Sequence, residues 1–123
     1  MSIPSSPHNG PIKLAVLDMA GTTVREDGVV EHAVAAAVRR VRGALPEDFD
    51  DQFRRSRGAS KLAMLAGLLG GDTDAAALAH DHFEQELITA IHDGRITAIA
   101  GAREALDELR RAGVKTALIT GFA

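Results

Sequence analysis

The chain has 123 residues, with 14 Lys and Arg against 17 Asp and Glu, 46% hydrophobic residues, and no Cys, Trp or Tyr. That length admits one folded domain at most, and the lack of Cys excludes a disulfide framework, a thiolate zinc site and a Cys nucleophile. A formal charge of -3, scattered basic residues and 3% aromatic residues exclude a nucleic-acid surface, which needs clustered Lys and Arg or stacking rings. No apolar run approaches the roughly 20 residues of a membrane span, and the N-terminus lacks the order of a secretory signal. The expectation is a cytoplasmic chain with no membrane partner.

Residues 1–11 hold three of the four prolines with Ser, Asn and Gly, the composition of a disordered tail. Leu14, Ala15, Val16 and Leu17 then form a short apolar run that stops at Asp18, as a buried parallel strand does. From Val30, the residues Val34, Val38 and Val41, with Ala33 and Ala37, recur at helical spacing. Gly43 and Pro46 supply the stop. A second helix is predicted from near Ser60 to Gly70 and Gly71. A third begins after Asp72, a candidate cap, and carries Phe83, Leu87 and Ile91 on one stripe as far as Gly94.

Ala102, Ala105, Leu106 and Leu109 mark a further helix ending at Gly113, and residues 114–120 read as a second buried strand. A strand, an all-helical stretch over 26–97, then a helix and a strand again predict an α/β fold with a helical insertion.

Both predicted strands end in small and polar residues, and in open α/β sheets that edge binds ligands. Ala20, Gly21, Thr22 and Thr23 offer backbone N–H groups with little obstruction, and Thr120 and Gly121 add a hydroxyl and another N–H, a set suited to a phosphoryl or phosphonyl group. Asp18 beside them could attack phosphorus with help from a cation. It could equally cap a turn, and spacing does not choose between these. His80 and His82 are two apart and face different sides of a helix, whereas helical metal pairs sit three or four apart. His32 and His92 are single.

The segment Leu14-Ala15-Val16-Leu17-Asp18-Met19-Ala20-Gly21-Thr22-Thr23 resembles the first motif of the haloacid dehalogenase (HAD) superfamily. It is similar in particular to the phosphonatase branch, phosphonoacetaldehyde hydrolase and its relatives, in which the motif reads Asp-x-Ala-Gly-Thr-Thr. Residues 117–122 resemble the second motif, and residues 101–113 the helix leading into it. The resemblance implies a Rossmann-like parallel sheet with an inserted helical cap, and divides the chain into core over 12–25, cap over 26–97 and core over 98–123.

The same resemblance implies roles. Asp18 would be nucleophile and Mg²⁺ ligand, the Ala20 carbonyl a second ligand, Thr120 with Gly121 the phosphoryl anchor, and Gly21, Thr22 and Gly58 substrate-binding residues. Ala20 stands where most HAD phosphatases carry an Asp that protonates the leaving group. In phosphonatases a cap lysine instead condenses with an aldehyde, and the leaving carbon departs as an enamine. Arg57-Gly58-Ala59-Ser60-Lys61 matches the Gly and Lys of that family's Met-Gly-x-x-Lys segment, while Arg57 replaces its Met, and Met64 stands where the family has a His. Lys61 reads either as this imine-forming lysine or as a solvated residue in a helix's first turn. The imine role requires an amine partly neutral near pH 7, through burial or a neighbouring cation such as Arg57.

The implied substrate is a small phosphonate or phosphorylated metabolite. The family's third and fourth motifs do not occur before Ala123, so the expectation is an incomplete core, with negligible turnover for the 123-residue chain alone. Two alternatives stand beside this. One is a non-catalytic interaction module that pairs an exposed sheet edge with another chain, as in a homodimer. The other is a HAD phosphatase or phosphomutase on a small phosphorylated metabolite, a reading that Ala20 opposes.

Overall fold

The computed structural model describes residues 10–120. Most of the expected tail, residues 1–9, and the positions 121–123 lie outside the described residues. The elements run β1 (Leu14–Asp18), β2 (Val24–Arg25), α1 (Val29–Arg42), α2 (Phe49–Arg55), α3 (Lys61–Leu68), α4 (Thr73–His92), β3 (Thr97–Ala98), α5 (Ala102–Arg111) and β4 (Lys115–Ile119). β1 pairs with β4, and β2 with β3. The chain divides into two compact units, residues 10–25 with Ala98–Thr120, and Glu26–Thr97. Among the described residues no helix is long and apolar enough to cross a membrane.

In the first unit β1 and β4 are parallel, from Leu14 opposite Lys115 to Asp18 opposite Ile119. Parallel strands need a crossover of a dozen residues or more. The intervening chain supplies it, ending in α5, from which the Val114 N–H returns to the Leu109 carbonyl at 2.9 Å. The two strands were expected to be buried, and the structure corrects this: Val16 is 53% and Leu118 47% exposed, with Leu14 and Ile119 alike. α5 has no buried residue. A strand in a parallel sheet is buried only when layers cover both faces, and among the described residues of this unit a single pair of strands and one helix cannot do so.

The second unit carries the apolar core. Val30, Ala33, Val34, Ala37 and Val38 of α1 are buried as the periodicity predicts, and join Phe49, Phe53, Met64, Leu65, Leu68, Ala79 and Phe83 in one cluster. α1 and α3 both pack along α4. Burying each large side chain there contributes roughly 1.5–3 kcal/mol. Asp72 caps α4 by accepting from the Ala75 N–H at 3.0 Å, and Ser60 caps α3 from the Ala63 N–H at 3.1 Å, satisfying donors that a helix start leaves orphaned. The Arg42 guanidinium donates to the Leu69 carbonyl beyond the end of α3.

Two details differ from the sequence reading. The buried stripe of α4 runs Ala76, Ala79, Phe83, Leu87 and Ala90, while Ile91 is 58% exposed. A straight helix drifts against a strict four-residue repeat because its period is 3.6. The periodicity reading also passes over α2, seven residues with five charged or amide side chains. Its signal was Phe49 and Phe53, four apart, both buried and with ring centroids 6.1 Å from each other.

Candidate active site

In the first unit the parallel pairing places the C-terminal ends of β1 and β4 at one edge. Asp18 closes β1 opposite Ile119, and Thr120 follows directly on β4. The Asp18 side chain is exposed, and its Oδ1 accepts the N–H of its neighbour Met19 at 2.8 Å. The turn after it is held mainly by the backbone: the Met19 carbonyl accepts from the N–H groups of Thr22, Thr23 and Val24 at 3.2, 3.0 and 2.8 Å. Closure therefore does not depend on the Asp18 carboxylate. Gly21, at φ 79°, makes the left-handed step, and its N–H donates to the Val24 carbonyl at 2.9 Å. No hydrogen bond among the described residues engages the Ala20 carbonyl.

Thr23, which the sequence reading counted only for its backbone N–H, anchors this loop. It is buried, its Oγ1 donates to the Asp18 carbonyl at 3.1 Å, and its own carbonyl accepts from Ile99 N–H at 2.9 Å. Its signal lay in the doubled Thr of the motif, where Thr22 is exposed and Thr23 turns inward. Gly121 lies outside the described residues.

In the second unit Gly58, at φ 92°, sits in the exposed loop between α2 and α3. Lys61 begins α3 immediately after its Ser60 cap, and it is only 8% exposed, so it is not the solvated first-turn residue that its position alone would suggest. Burial pulls its amine below the ordinary lysine value, and the Glu26 carboxylate opposes that shift. Desolvation of this kind disfavours the ammonium. Of the two routes offered for lowering it, burial is the one at work, and Arg57 lies over the Phe53 ring, 5.8 Å from its centroid. Met64 is buried and lines a hollow of about 300 Å³ between α2 and α3, together with Gln52, Arg55, Ser56, Ala63 and Leu68.

On α4 the ligand atoms of His80, Asp81 and Glu84 lie within 4.8 Å of one another, with His80 Nδ1 3.7 Å from Glu84 Oε1. Considering His80 only with His82 overlooks its carboxylate neighbours at one and four residues. The trio is on the surface, and His80 rests against Phe83.

A profile described as haloacid dehalogenase-like hydrolase matches residues 12–122. The fold is similar to that of a crystal structure of a HAD hydrolase, family IA, variant 3, from Entamoeba histolytica HM-1:IMSS, with a TM-score of 0.68 and 20% sequence identity. The match covers 89% of this chain and 49% of that one, so the chain spans about half the length of that structure. No curated protein matches the chain.

Proposed function

The chain belongs to the haloacid dehalogenase-like hydrolases, and from that premise we propose that it carries the nucleophile and cap lysine of a phosphonatase-like enzyme acting on a small carbonyl-bearing phosphonate. The observation that carries the reading is Lys61, a buried amine at the capped start of α3, held below its ordinary value by desolvation. It stands where the phosphonatase resemblance puts the imine-forming lysine. Ala20 agrees with it, because a leaving group that departs as an enamine needs no acid at that position.

The chemistry proceeds in balanced steps. The Lys61 amine condenses with the substrate carbonyl and releases water, giving an iminium. An Asp18 carboxylate oxygen attacks phosphorus, the P–C bond breaks, and its electron pair passes into the iminium to leave a neutral enamine. Water hydrolyses the aspartyl-phosphate to inorganic phosphate and Asp18. The enamine takes a proton on carbon, and hydrolysis of the resulting imine frees the aldehyde and Lys61. In this reading the Thr120 hydroxyl and Gly121 bind the phosphoryl oxygens, while the Gly21 and Thr22 N–H groups expected to join them are committed to the Val24 and Met19 carbonyls.

HAD hydrolases generally use Mg²⁺, and the residues here fit it. Asp18 is exposed, with only Oδ1 engaged by a hydrogen bond among the described residues, and the Ala20 carbonyl is unengaged. Both are the hard oxygen donors this ion prefers. When bound, the ion supplies the positive charge that lets carboxylate and phosphoryl group approach.

The test uses the native protein with phosphonoacetaldehyde and borohydride. Reductive trapping on Lys61, with phosphate release that is lost in Asp18→Asn, supports the reading. Phosphate release from simple phosphate esters without any trapping on Lys61 would replace it with an ordinary phosphatase.

A further inference from the structure

α4 carries Asp74, Asp81, Glu84 and Glu86 but neither a Lys nor an Arg among its 20 residues, so it lacks the interleaved opposite charges that neutralise a helix surface. His80, Asp81 and Glu84 share one face of it. Glu84 lies four residues after His80 and three after Asp81, the two spacings that make side chains neighbours on a helix. One ligand atom from each of the three lies within 4.8 Å of the other two. The imidazole is the most constrained member: its side chain is 20% exposed, and its ring centroid is 6.0 Å from that of the fully buried Phe83. His80 Nδ1 stands 3.7 Å from Glu84 Oε1. That gap is wider than the roughly 2.7–3.2 Å of a hydrogen bond, so no proton bridges it. Among the described residues no Lys or Arg pairs with Asp81 or Glu84.

Two donors bound to one tetrahedral zinc ion at about 2.0–2.2 Å stand roughly 3.4 Å apart, close to the observed separation of His80 Nδ1 and Glu84 Oε1. We propose that His80, Asp81 and Glu84 form a Zn²⁺ site on the surface of α4, with His80 Nδ1 and one oxygen of each carboxylate as ligands and water in the fourth position. The exposed Asp81 and Glu84 side chains close the remaining distance by rotating. Two carboxylates balance the charge of the ion, and the neutral imidazole sets its kind: a nitrogen donor suits zinc, whereas Mg²⁺ prefers an octahedron of oxygens. The site uses none of the residues of the proposed reaction and does not rest on it. Its effect is structural. An ion held by residues four apart fixes one full turn of the helix along which α1 and α3 both pack, and an ion that binds only the folded chain stabilises it.

The test is calorimetric titration of the native protein with zinc chloride in excess Mg²⁺, which occupies oxygen-only positions such as Asp18. The expected result is saturable binding that raises the melting temperature. His80→Ala should weaken that binding by about tenfold to a hundredfold or more, since even the loss of an outer partner of a ligand costs that much, and should remove the rise in melting temperature. Asp81→Asn and Glu84→Gln should each weaken it as well. Glu84→Gln alters an exposed side chain and decides the matter if His80→Ala does not fold. Asp74→Asn removes a charge from the same helix outside the trio and should leave the affinity unchanged. The proposal is overturned by an absence of saturable binding, by unchanged affinity in folded His80→Ala or Glu84→Gln, or by an equal loss in Asp74→Asn, which would reduce the effect to diffuse attraction. These readouts need no turnover, so failure of aldehyde trapping on Lys61 would leave them standing.

Discussion

Asp18 and Ile119 face each other across the last register position of the parallel pair, and the Met19 N–H carries the ladder one bond further, to the Ile119 carbonyl at 3.1 Å. The backbone of the candidate nucleophile is therefore pinned by its neighbouring strand, while its side chain is left exposed.

Asp18→Asn should separate function from stability. The new amide retains an oxygen for the Met19 N–H, so unfolding free energy is expected to change by less than about 0.5 kcal/mol, as for most exposed positions. Phosphate release should fall by about 10⁴-fold or more, as when a nucleophile is removed. Parallel thermal melts and phosphate assays check both halves.

Thr23→Val replaces a buried hydroxyl with a methyl of similar size and leaves the Asp18 carbonyl without that donor. A cost of about 1 kcal/mol is expected, along with a loss of kcat larger than stability alone explains, because the turn bearing the nucleophile loosens. Urea titration and steady-state kinetics on the same preparation measure the two effects.

The core of the helical unit depends on Phe83, which is fully buried. Phe83→Ala should cost about 3–5 kcal/mol, a large fraction of the stability of a small domain. A shift in the urea midpoint at unchanged slope would register it. An effect under about 1 kcal/mol would contradict the packing described here.

Lys61 gives a pH dependence of definite sign. Because burial lowers its folded value below the ordinary 10.5, between those two values the unfolded chain holds a proton that the folded chain has released. Stability contributed by this group is then fully present above 10.5 and is lost as pH falls through the lowered value. Lys61→Met is accordingly expected to be more stable than the native protein at pH 7, with the gap narrowing as pH rises toward 10.5. Melting temperatures of both proteins across that range decide it.

Ser60→Ala removes the acceptor for the Ala63 N–H at the start of the helix that presents Lys61. About 1 kcal/mol of stability should be lost. The pH profile of Lys61 acetylation by acetic anhydride should move toward that of an exposed lysine if the cap is what fixes the first turn of α3.

Much of this fold is legible in residue order. The valines of α1 recur at helical spacing, Asp72 and Ser60 are short polar residues immediately ahead of helical runs, and Gly43 and Gly113 follow their last turns. Each signal is local, written within four or five residues. The short α2 escaped because two aromatic residues in a charged heptad are too few to define a period. The candidate site was legible in part for the same reason: Asp18, Gly21 and Thr22 lie on one turn, whereas the contribution of Thr23 depends on which atoms the folded backbone brings near it.

The sequence alone determined the order of β1, α1, α3, α4, α5 and β4, the stop and cap residues of those helices, and the polar edge after Asp18 and at Thr120, because side-chain chemistry and period act over a few residues. Tertiary structure decided exposure and charge. It left the apolar strands β1 and β4 largely uncovered, and it buried a lysine that the helix period alone would leave in solvent. Burial and Coulomb interaction depend on distance in space, which residue order does not contain.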